Sequence, residues 1–527
     1  MLLRQLVQSL EEYELLEGSL DEEISEIADH SAKVLPQSMF VCVTGYRFDG
    51  HEYVADAIAH GAVCIVTEKK FDVSLKITVI LVPDTRKAIA GMSAAFYQYP
   101  ASKICLIGIT GTKGKTTCAN MIRSVLSASG KKTGIIGTLG AECYDFYEEI
   151  KTTTPDALTL HRLLSEMVSR DCTHVILEVS SQSLMQSRVW GIHFQIAVFT
   201  NFYPDHVGAG EHSSLDEYAF WKSTLFKYAE KCVLNMGADR FLEMAAASEG
   251  TIVGYYLDHS ADDTSSLENH KTLGCPIYPK PPELIGVYEP KIAFGRMTLF
   301  GRYTGEIHIG LPGRYNLENA LGALAVASLL DIPLSDCTAL SNLTVPGRTE
   351  VLEGNEYGED YRVVIDYAHN ESGMENLLIA LREMNPRRLI CVYGSGGDRS
   401  VMRRLGMGRV GGSLCHLSVL TEDNSRSEPL LQIIAGLTEG VESVGGKYVV
   451  IPDRREAIHT TIKNARPGDL IAIIGKGHEN YQEIGSCRYP FSDRDEALQA
   501  MRMRAGLSGH EKEVGEVPAD GRIKWKT

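Results

Sequence analysis

The chain has no long apolar run, no basic surplus and no paired cysteines, and each absence removes a class of function. No stretch approaches the roughly 18 apolar residues that a membrane-spanning helix needs, so no membrane span is expected. Asp and Glu outnumber Lys and Arg by 68 to 52, for a formal net charge of −16. That balance argues against a nucleic-acid groove and leaves room only for a local basic pocket. The 12 cysteines are scattered singly, without any Cys-x-x-Cys, so zinc sites and a disulfide framework are both unexpected. The N-terminal "MLLRQLVQSLEEYELLEG" is acidic and helical in pattern, without the basic start or cleavage site of a signal peptide. Internal repeats and low-complexity tracts are missing too. What remains is 527 residues with 44% hydrophobic and 23% charged content, the profile of a cytoplasmic enzyme of about three domains.

Three blocks follow one another. Residues 1–100 alternate strand-like runs ("SMFVCVTG", "AVCIVTE", "KITVILV") with helical ones ("YVADAIAHG", "TRKAIAGMSAAFYQYP"), a small α/β unit. Residues 101–344 alternate likewise, with "HVILEVSS", "QIAVFTNF" and "KCVLNM" as buried strands. Within them, 261–290 is polar and Pro-rich and reads as a loop or edge insertion. Residues 345–506 hold "RVVIDYAH", "RLICVYGSGG", "LSVLTEDN" and "DLIAIIGKGHE", each a strand running into a polar or glycine-rich turn, where open α/β sheets place ligand contacts. Residues 507–527 read as a polar tail.

"LIGITGTKGKTTCANMIRSVL" is the sharpest local signal. A buried strand runs into a glycine-rich turn and then a helix, the layout that presents backbone N–H groups and a helix N-terminus to phosphate. Gly114, Lys115 and Thr116 fit the Gly-Lys-Ser/Thr end of a P-loop, although Ile109 stands where the first glycine belongs. Lys115 suits the terminal phosphates and Thr116 a magnesium ion. Glu178, at the end of "VILE", is a sensible carboxylate for the same ion, though such a residue alone is more often a surface acid. Asn201, Asp205 and His206 follow the next strand, where His206 is a plausible metal ligand.

Ten motifs then fall in one order: "GTKGKTT", "EVSS", "TNFYPDH", "YAFWKSTLF", "GRYNLENALGA", "VPGRTE", "IDYAH", "GSGGDR", "DNSRSE" and "GKGHENYQ". Together they resemble the Mur ligases, ATP-dependent amide-forming enzymes that build the peptide of bacterial cell-wall precursors. The resemblance spans about residues 20 to 505. It implies an α/β protein of three domains: a UDP-sugar substrate domain, a central P-loop ATPase and a C-terminal Rossmann-like domain that closes over the nucleotide. "TTTPDALTLHRLLSEM" and "EVSSQSLMQSRV" resemble the members that add the third residue, a diamino acid, to UDP-N-acetylmuramoyl-L-Ala-D-Glu.

The resemblance also implies roles. Gly111, Thr112, Lys113, Gly114, Lys115, Thr116 and Thr117 would cradle ATP, with Asn319 at the adenine and Arg348 and Asp366 reaching the nucleotide on closure. Thr116, Glu178 and His206 would hold Mg²⁺ together with Lys222, which matches a lysine carbamylated by CO₂. Without the family, Lys222 reads as a solvated helix lysine. Lys115, Lys222 and His206 would be the catalytic set. Ser31, Thr153, Thr154, Ser180, Gln186 and Arg188 match contacts to the UDP-muramoyl dipeptide. Arg399, Asp423, Asn424, Ser425, Arg426, Gly475 and Glu479 would receive the free diamino acid. Arg426 makes meso-diaminopimelate the expected one, because a guanidinium suits its distal carboxylate. A monomer is expected.

Some positions depart from the pattern. His30-Ser31-Ala32 stands where Asp-Ser-Arg is common, Gln182 replaces a histidine, Asn370 and Glu371 replace Thr-Pro, and Ser425 replaces the proline before Arg426. None removes an ATP or metal ligand, but they leave other substrates open. The alternatives are L-lysine or another amino acid, a different Mur or folylpolyglutamate-type ligase, a P-loop kinase, or a non-catalytic nucleotide-binding paralogue.

Overall fold

The computed structural model describes residues 1–45, 48–71, 74–204, 208, 211–258, 280–288 and 295–507. The chain forms two compact units, one of Met1–Val287, Thr298–Gly305 and Glu318–Ala339, the other of Tyr288–Met297, Glu306–Leu317 and Leu340–Thr527.

The first unit holds two sheets. One has the order Glu14–Glu17, Thr78–Leu81, Ala62–Thr67, Ser38–Val41, Glu26–Ala28. Only its first strand is antiparallel to its neighbour. Helical periodicity had suggested one helix over the N-terminus, but helix occupies only Leu3–Leu6 with a 3-10 turn at Val7–Ser9. Glu14–Glu17 instead pairs with Thr78–Leu81, because "ELLE" is a short segment that an open sheet edge can satisfy.

The second sheet is centred on Cys105–Thr110. His174–Glu178 lies on one side of it and Phe194–Phe199 on the other, both parallel to it. Thr133–Gly137 extends the sheet one way, and Ala229–Asn235, Thr251–Asp258 and Leu284–Tyr288 extend it the other. The chain visits one side of the central strand first and the other afterwards. The carboxyl end of Cys105–Thr110 is therefore a switch point, where open α/β sheets form their ligand crevice. Leu284–Tyr288 is a parallel strand inside the stretch expected to be an insertion, and residues 259–279 of that stretch lie outside the described residues.

The helix Ala157–Ser169 joins the two parts of this unit, with Leu158 packed on the core of the first sheet. On the same helix His161 is 1% exposed, and neither ring nitrogen has a hydrogen-bond partner. Burial pushes its pKa down to about 4. The folded state thus keeps this ring neutral where an unfolded chain, titrating near 6.5, would protonate it. Its contribution to stability is complete above pH 6.5 and is lost as pH falls toward 4, by about 2 kcal/mol between pH 7.5 and 5. In His161→Leu the loss of stability over that interval, read from denaturant midpoints, should shrink by this amount. An unchanged pH dependence would refute the assignment.

The second unit is built on a six-stranded sheet of order Glu350–Glu353, Tyr361–Asp366, Asp469–Ile474, Arg388–Tyr393, Leu417–Leu420, Tyr448–Val450. All but its first pairing are parallel. Asp469–Ile474 is buried along its length, and apolar cores cover both faces. Arg454 and Asp493 begin the helices Arg454–Lys463 and Asp493–Arg504 and form a fully buried ion pair. Arg454 donates to both carboxylate oxygens, at 2.7 and 2.8 Å, and also to the carbonyls of Glu422 and Ile474. One guanidinium thus fixes two helix starts and two strand ends.

Candidate active site

The phosphate turn leaves this switch point, and the helix Lys115–Ala128 follows it, in the strand–turn–helix order expected. Gly111 and Gly114 have φ of +150° and +81°. A Cβ at Gly111 would sit 2.0 Å from Thr200 Oγ1, and one at Gly114 would sit 2.2 Å from Asn319 Oδ1. Only glycine lets the turn approach so closely, and Asn319 is thereby placed against it.

Residues after the flanking strand Phe194–Phe199, and one on the helix Leu215–Ser223, hold the turn. Asn201 accepts from Thr112 N at 3.0 Å through its carbonyl and from Lys113 N at 2.9 Å through Oδ1. Thr200 Oγ1 donates to Lys113 O at 2.7 Å. Tyr218 OH donates to Thr112 Oγ1 at 3.1 Å. Lys115 Nζ donates to the carbonyls of Gly111 and Thr112, at 2.8 and 3.2 Å. The helix start at Lys115, Thr116 and Thr117 presents first-turn N–H groups, which have no carbonyl partner within a helix.

Lys222 is not a solvated lysine. It is 1% exposed on the helix Leu215–Ser223; its Nζ donates to Gly111 O at 2.9 Å and lies 4.4 Å from the centre of the Tyr218 ring. Glu178, also 1% exposed, accepts from Thr116 Oγ1 at 2.9 Å. Thr138 reaches the same carboxylate through its backbone N and its hydroxyl, at 2.9 and 3.1 Å. A carboxylate and two hydroxyls form a hard oxygen donor set, which fits magnesium and leaves positions for phosphate and water. His206 and Asp205 lie outside the described residues.

The residues expected to contact the dipeptide, Ser31 aside, are continuous with this carboxylate. Thr153 Oγ1 is 3.1 Å from Thr138 Oγ1, and Thr154 Oγ1 donates to Glu178 O at 2.8 Å and accepts from Ser180 N at 3.0 Å. Arg188 donates to Thr154 O at 2.6 Å and to Gln186 Oε1. Ser31 lies apart, on the 3-10 turn Ser31–Lys33 of the first sheet's domain.

In the second unit Arg348 stacks on Tyr367, 4.6 Å from its ring centre, and its Nε is buried without a partner. His478 also packs on Tyr367. Burial, and then Arg348, push its pKa down to about 4. Asp366 accepts from Thr349 N at 2.6 Å and Ala368 N at 2.7 Å. Its pKa is raised because burial outweighs Arg348 and these bonds.

The turn Asp423 to Arg426 follows the strand Leu417–Leu420. Lys476, fully buried, donates to Asn424 Oδ1 at 2.9 Å and Glu479 Oε2 at 3.1 Å, with Asp423 Oδ1 at 3.9 Å. Asn424 Nδ2 also donates to Glu479 Oε2, at 2.9 Å. Gly475 lies against the Asp423 carboxylate. Ser425, in the proline's place, is buried. Arg399 is exposed in a loop whose Gly397 N donates to Asn424 O at 2.8 Å.

Sequence reasoning missed Thr138, which has no motif around it. It also missed Lys476, hidden inside "GKGHE", and His212, whose buried Nε2 lies 2.8 Å from Ser181 Oγ and whose ring packs on Tyr218. Histidine spacing before "YAFWK" was the available signal for His212.

Three family descriptions match in order: the Mur ligase family catalytic domain over residues 23–97, the Mur ligase middle domain over 109–327 and the Mur ligase glutamate ligase domain over 347–477. A UDP-N-acetylmuramoyl-L-alanyl-D-glutamate–2,6-diaminopimelate ligase of Caldanaerobacter subterraneus subsp. tengcongensis is 39% identical over 484 residues, 91% of this chain and 95% of that one. The enzyme of the same name from Syntrophomonas wolfei is 35% identical over 497 residues, 93% of this chain and 97% of its own. A solved structure of a ligase with that name superposes with a TM-score of 0.66 at 26% identity, covering 96% of this chain and 99% of the other. With the three descriptions in sequence and relatives aligned almost end to end, this chain belongs to the Mur ligase family.

Proposed function

We propose that the chain joins an amino group of meso-diaminopimelate to the D-Glu side-chain carboxylate of UDP-N-acetylmuramoyl-L-Ala-D-Glu, driven by ATP, in cell-wall precursor synthesis. Residues 1–100 hold the UDP-sugar, 101–344 the nucleotide and 345–506 the amino acid, in a cytoplasmic monomer. A carboxylate is a poor electrophile. Transfer of the γ-phosphoryl group to it releases ADP and forms an acyl phosphate. The amine attacks the acyl carbon, phosphate leaves, and the amine's proton is lost to solvent or a nearby base. Charge gathers on phosphoryl oxygens and then on an oxyanion; the first-turn N–H groups and Lys115 meet the former. Thr153, Thr154, Ser180, Gln186 and Arg188 orient the acceptor beside Glu178. Magnesium ions, held through Thr116, Glu178, a carbamate on Lys222 and His206, would neutralise phosphate charge.

The mixed-charge patch of Arg426, Asn424, Lys476 and Glu479 carries the choice of amino acid. Glu479 and Asn424 suit an ammonium, and Arg426 suits a carboxylate, the group that distinguishes diaminopimelate from lysine. A charge-assisted pair is worth about 1.5–3 kcal/mol, or on the order of ten- to a hundredfold. Arg426→Ala should raise the KM for diaminopimelate by that factor and leave the KM for ATP nearly unchanged. The deciding assay is product mass with the muramoyl dipeptide, ATP and a panel of amino acids. L-Lysine used as well as or better than diaminopimelate would overturn the amino-acid assignment. No product with any member of the panel would overturn the ligase reading of this acceptor.

A further inference from the structure

We propose that Glu483 is a positioning residue for amino-acid selection, holding the Arg426 guanidinium so that its remaining N–H edge faces the amino acid. The inference rests on the reading of Arg426 given above.

Arg426 has φ +49°, a left-handed conformation that side chains other than glycine rarely adopt. Contacts outside its own turn must hold it there. The hairpin of Tyr481–Ile484 and Cys487–Pro490 does so. Arg426 N donates to Glu483 O at 3.1 Å, Gly485 N donates to Arg426 O at 2.8 Å, and a parallel bridge joins Arg426 to Ile484. The side chain follows the backbone, with Nε donating to Glu483 Oε2 at 3.0 Å and Nη1 to Gly397 O at 2.8 Å. Arginine has five N–H donors in a rigid fork, so these two bonds fix its plane and leave three donors for a ligand.

Glu483 is itself held. Its other oxygen accepts from Arg488 Nε at 2.8 Å, Arg488 stacks 4.3 Å from the centre of the Tyr481 ring, and Glu483 N donates to Asn424 Oδ1 at 2.9 Å. Burial raises the Glu483 pKa, but the two guanidiniums outweigh it and lower the value overall. Two cations around one carboxylate leave the group positive, so it still attracts an anion while its geometry is fixed. Glu483 also backs Asn424, placing both ends of the amino-acid patch on one hairpin.

The test is steady-state kinetics of the full chain with Glu483→Ala and Glu483→Gln, each alone and combined with Arg426→Ala. Glu483→Ala should raise the KM for diaminopimelate about five- to tenfold. Glu483→Gln should do so less, because an amide oxygen still accepts from Nε. The KM for ATP and Tm should barely move. In the Arg426→Ala background neither substitution should add anything, since a positioning residue has nothing left to position. If the alanine variant does not fold, the glutamine variant carries the same comparison. A KM that falls, as when the carboxylate merely repels the substrate, overturns the inference. An equal rise in the Arg426→Ala background does too, as does an unchanged KM beside a raised one in Arg426→Ala. An unchanged KM in Arg426→Ala itself would instead remove the underlying reading of Arg426, and this inference with it.

Discussion

Replacing Lys222 with alanine should lower turnover by roughly three orders of magnitude, equivalent to about 4 kcal/mol of transition-state stabilisation. Lys222 is almost wholly buried, and its Nζ touches the Gly111 carbonyl at the head of the phosphate turn. A lysine that had only to shield the turn would need no charge chemistry at its tip. In the proposed reaction the amine adds CO₂, loses a proton and becomes an anionic bidentate ligand. Formate, acetate or propionate diffusing into the alanine cavity should then restore part of the activity, whereas Lys222→Met, which fills that cavity, should not respond. Loss of activity matched by a fall in Tm, with no rescue by any of these acids, would mean that Lys222 only braces the turn. Full activity in the alanine variant would remove it from the reaction altogether.

The largest effect on stability is expected at Asp493. Asp493→Ala leaves the Arg454 guanidinium, 0% exposed, without its carboxylate. Stranding a buried charge costs about 3–5 kcal/mol. The same guanidinium also binds the carbonyls of Glu422 and Ile474, at the strand ends from which the Asp423 turn and Gly475 emerge. Asp493→Ala should therefore lower the denaturant midpoint and raise the KM for diaminopimelate together. Converting both partners to apolar residues, Arg454→Met with Asp493→Leu, should recover most of the stability, because no charge is then left unpaired. A double variant no more stable than Asp493→Ala would show that the carbonyl contacts, rather than the ion pair, hold the domain.

Legibility in the sequence followed the range of the interactions. The strand, turn and helix around Gly114 were readable because period, glycines and the Lys-Thr pair lie within about twenty residues of one another. The central parallel strands of both large sheets were readable as short β-branched runs bounded by polar turns, whereas the parallel strands Thr133–Gly137, Thr251–Asp258 and Tyr448–Val450 were not singled out. Leu284–Tyr288 was obscured because prolines and polar residues surround it, and only its partner Thr251–Asp258 makes it a strand. The N-terminal "ELLE" was read as helix because its apolar pair fits either period. In the candidate site the motifs marked Glu178, Lys222 and Arg426. Burial of Lys222 was not visible, since the one buried face of its helix, Tyr218, Ala219, Lys222 and Ser223, mixes apolar with polar residues while Phe220 is exposed. Arg454–Asp493 and Arg426–Glu483 join residues 39 and 57 positions apart, and no local pattern records which distant carboxylate a guanidinium will meet.

The Gly111 carbonyl accepts from both Lys115 and Lys222. In the proposed reaction Lys115 would therefore exchange carbonyl acceptors for phosphoryl oxygens when ATP binds, and that binding would not be the capture of an idle charge. The free energy of that step is a difference between two sets of hydrogen bonds, and is much smaller than the strength of either. On the proposed reading, such a turn spends little free energy on holding the ground-state nucleotide. Its electrostatic advantage is kept for the moment when the phosphoryl group, in flight between two oxygens, carries more charge than a carbonyl dipole can match.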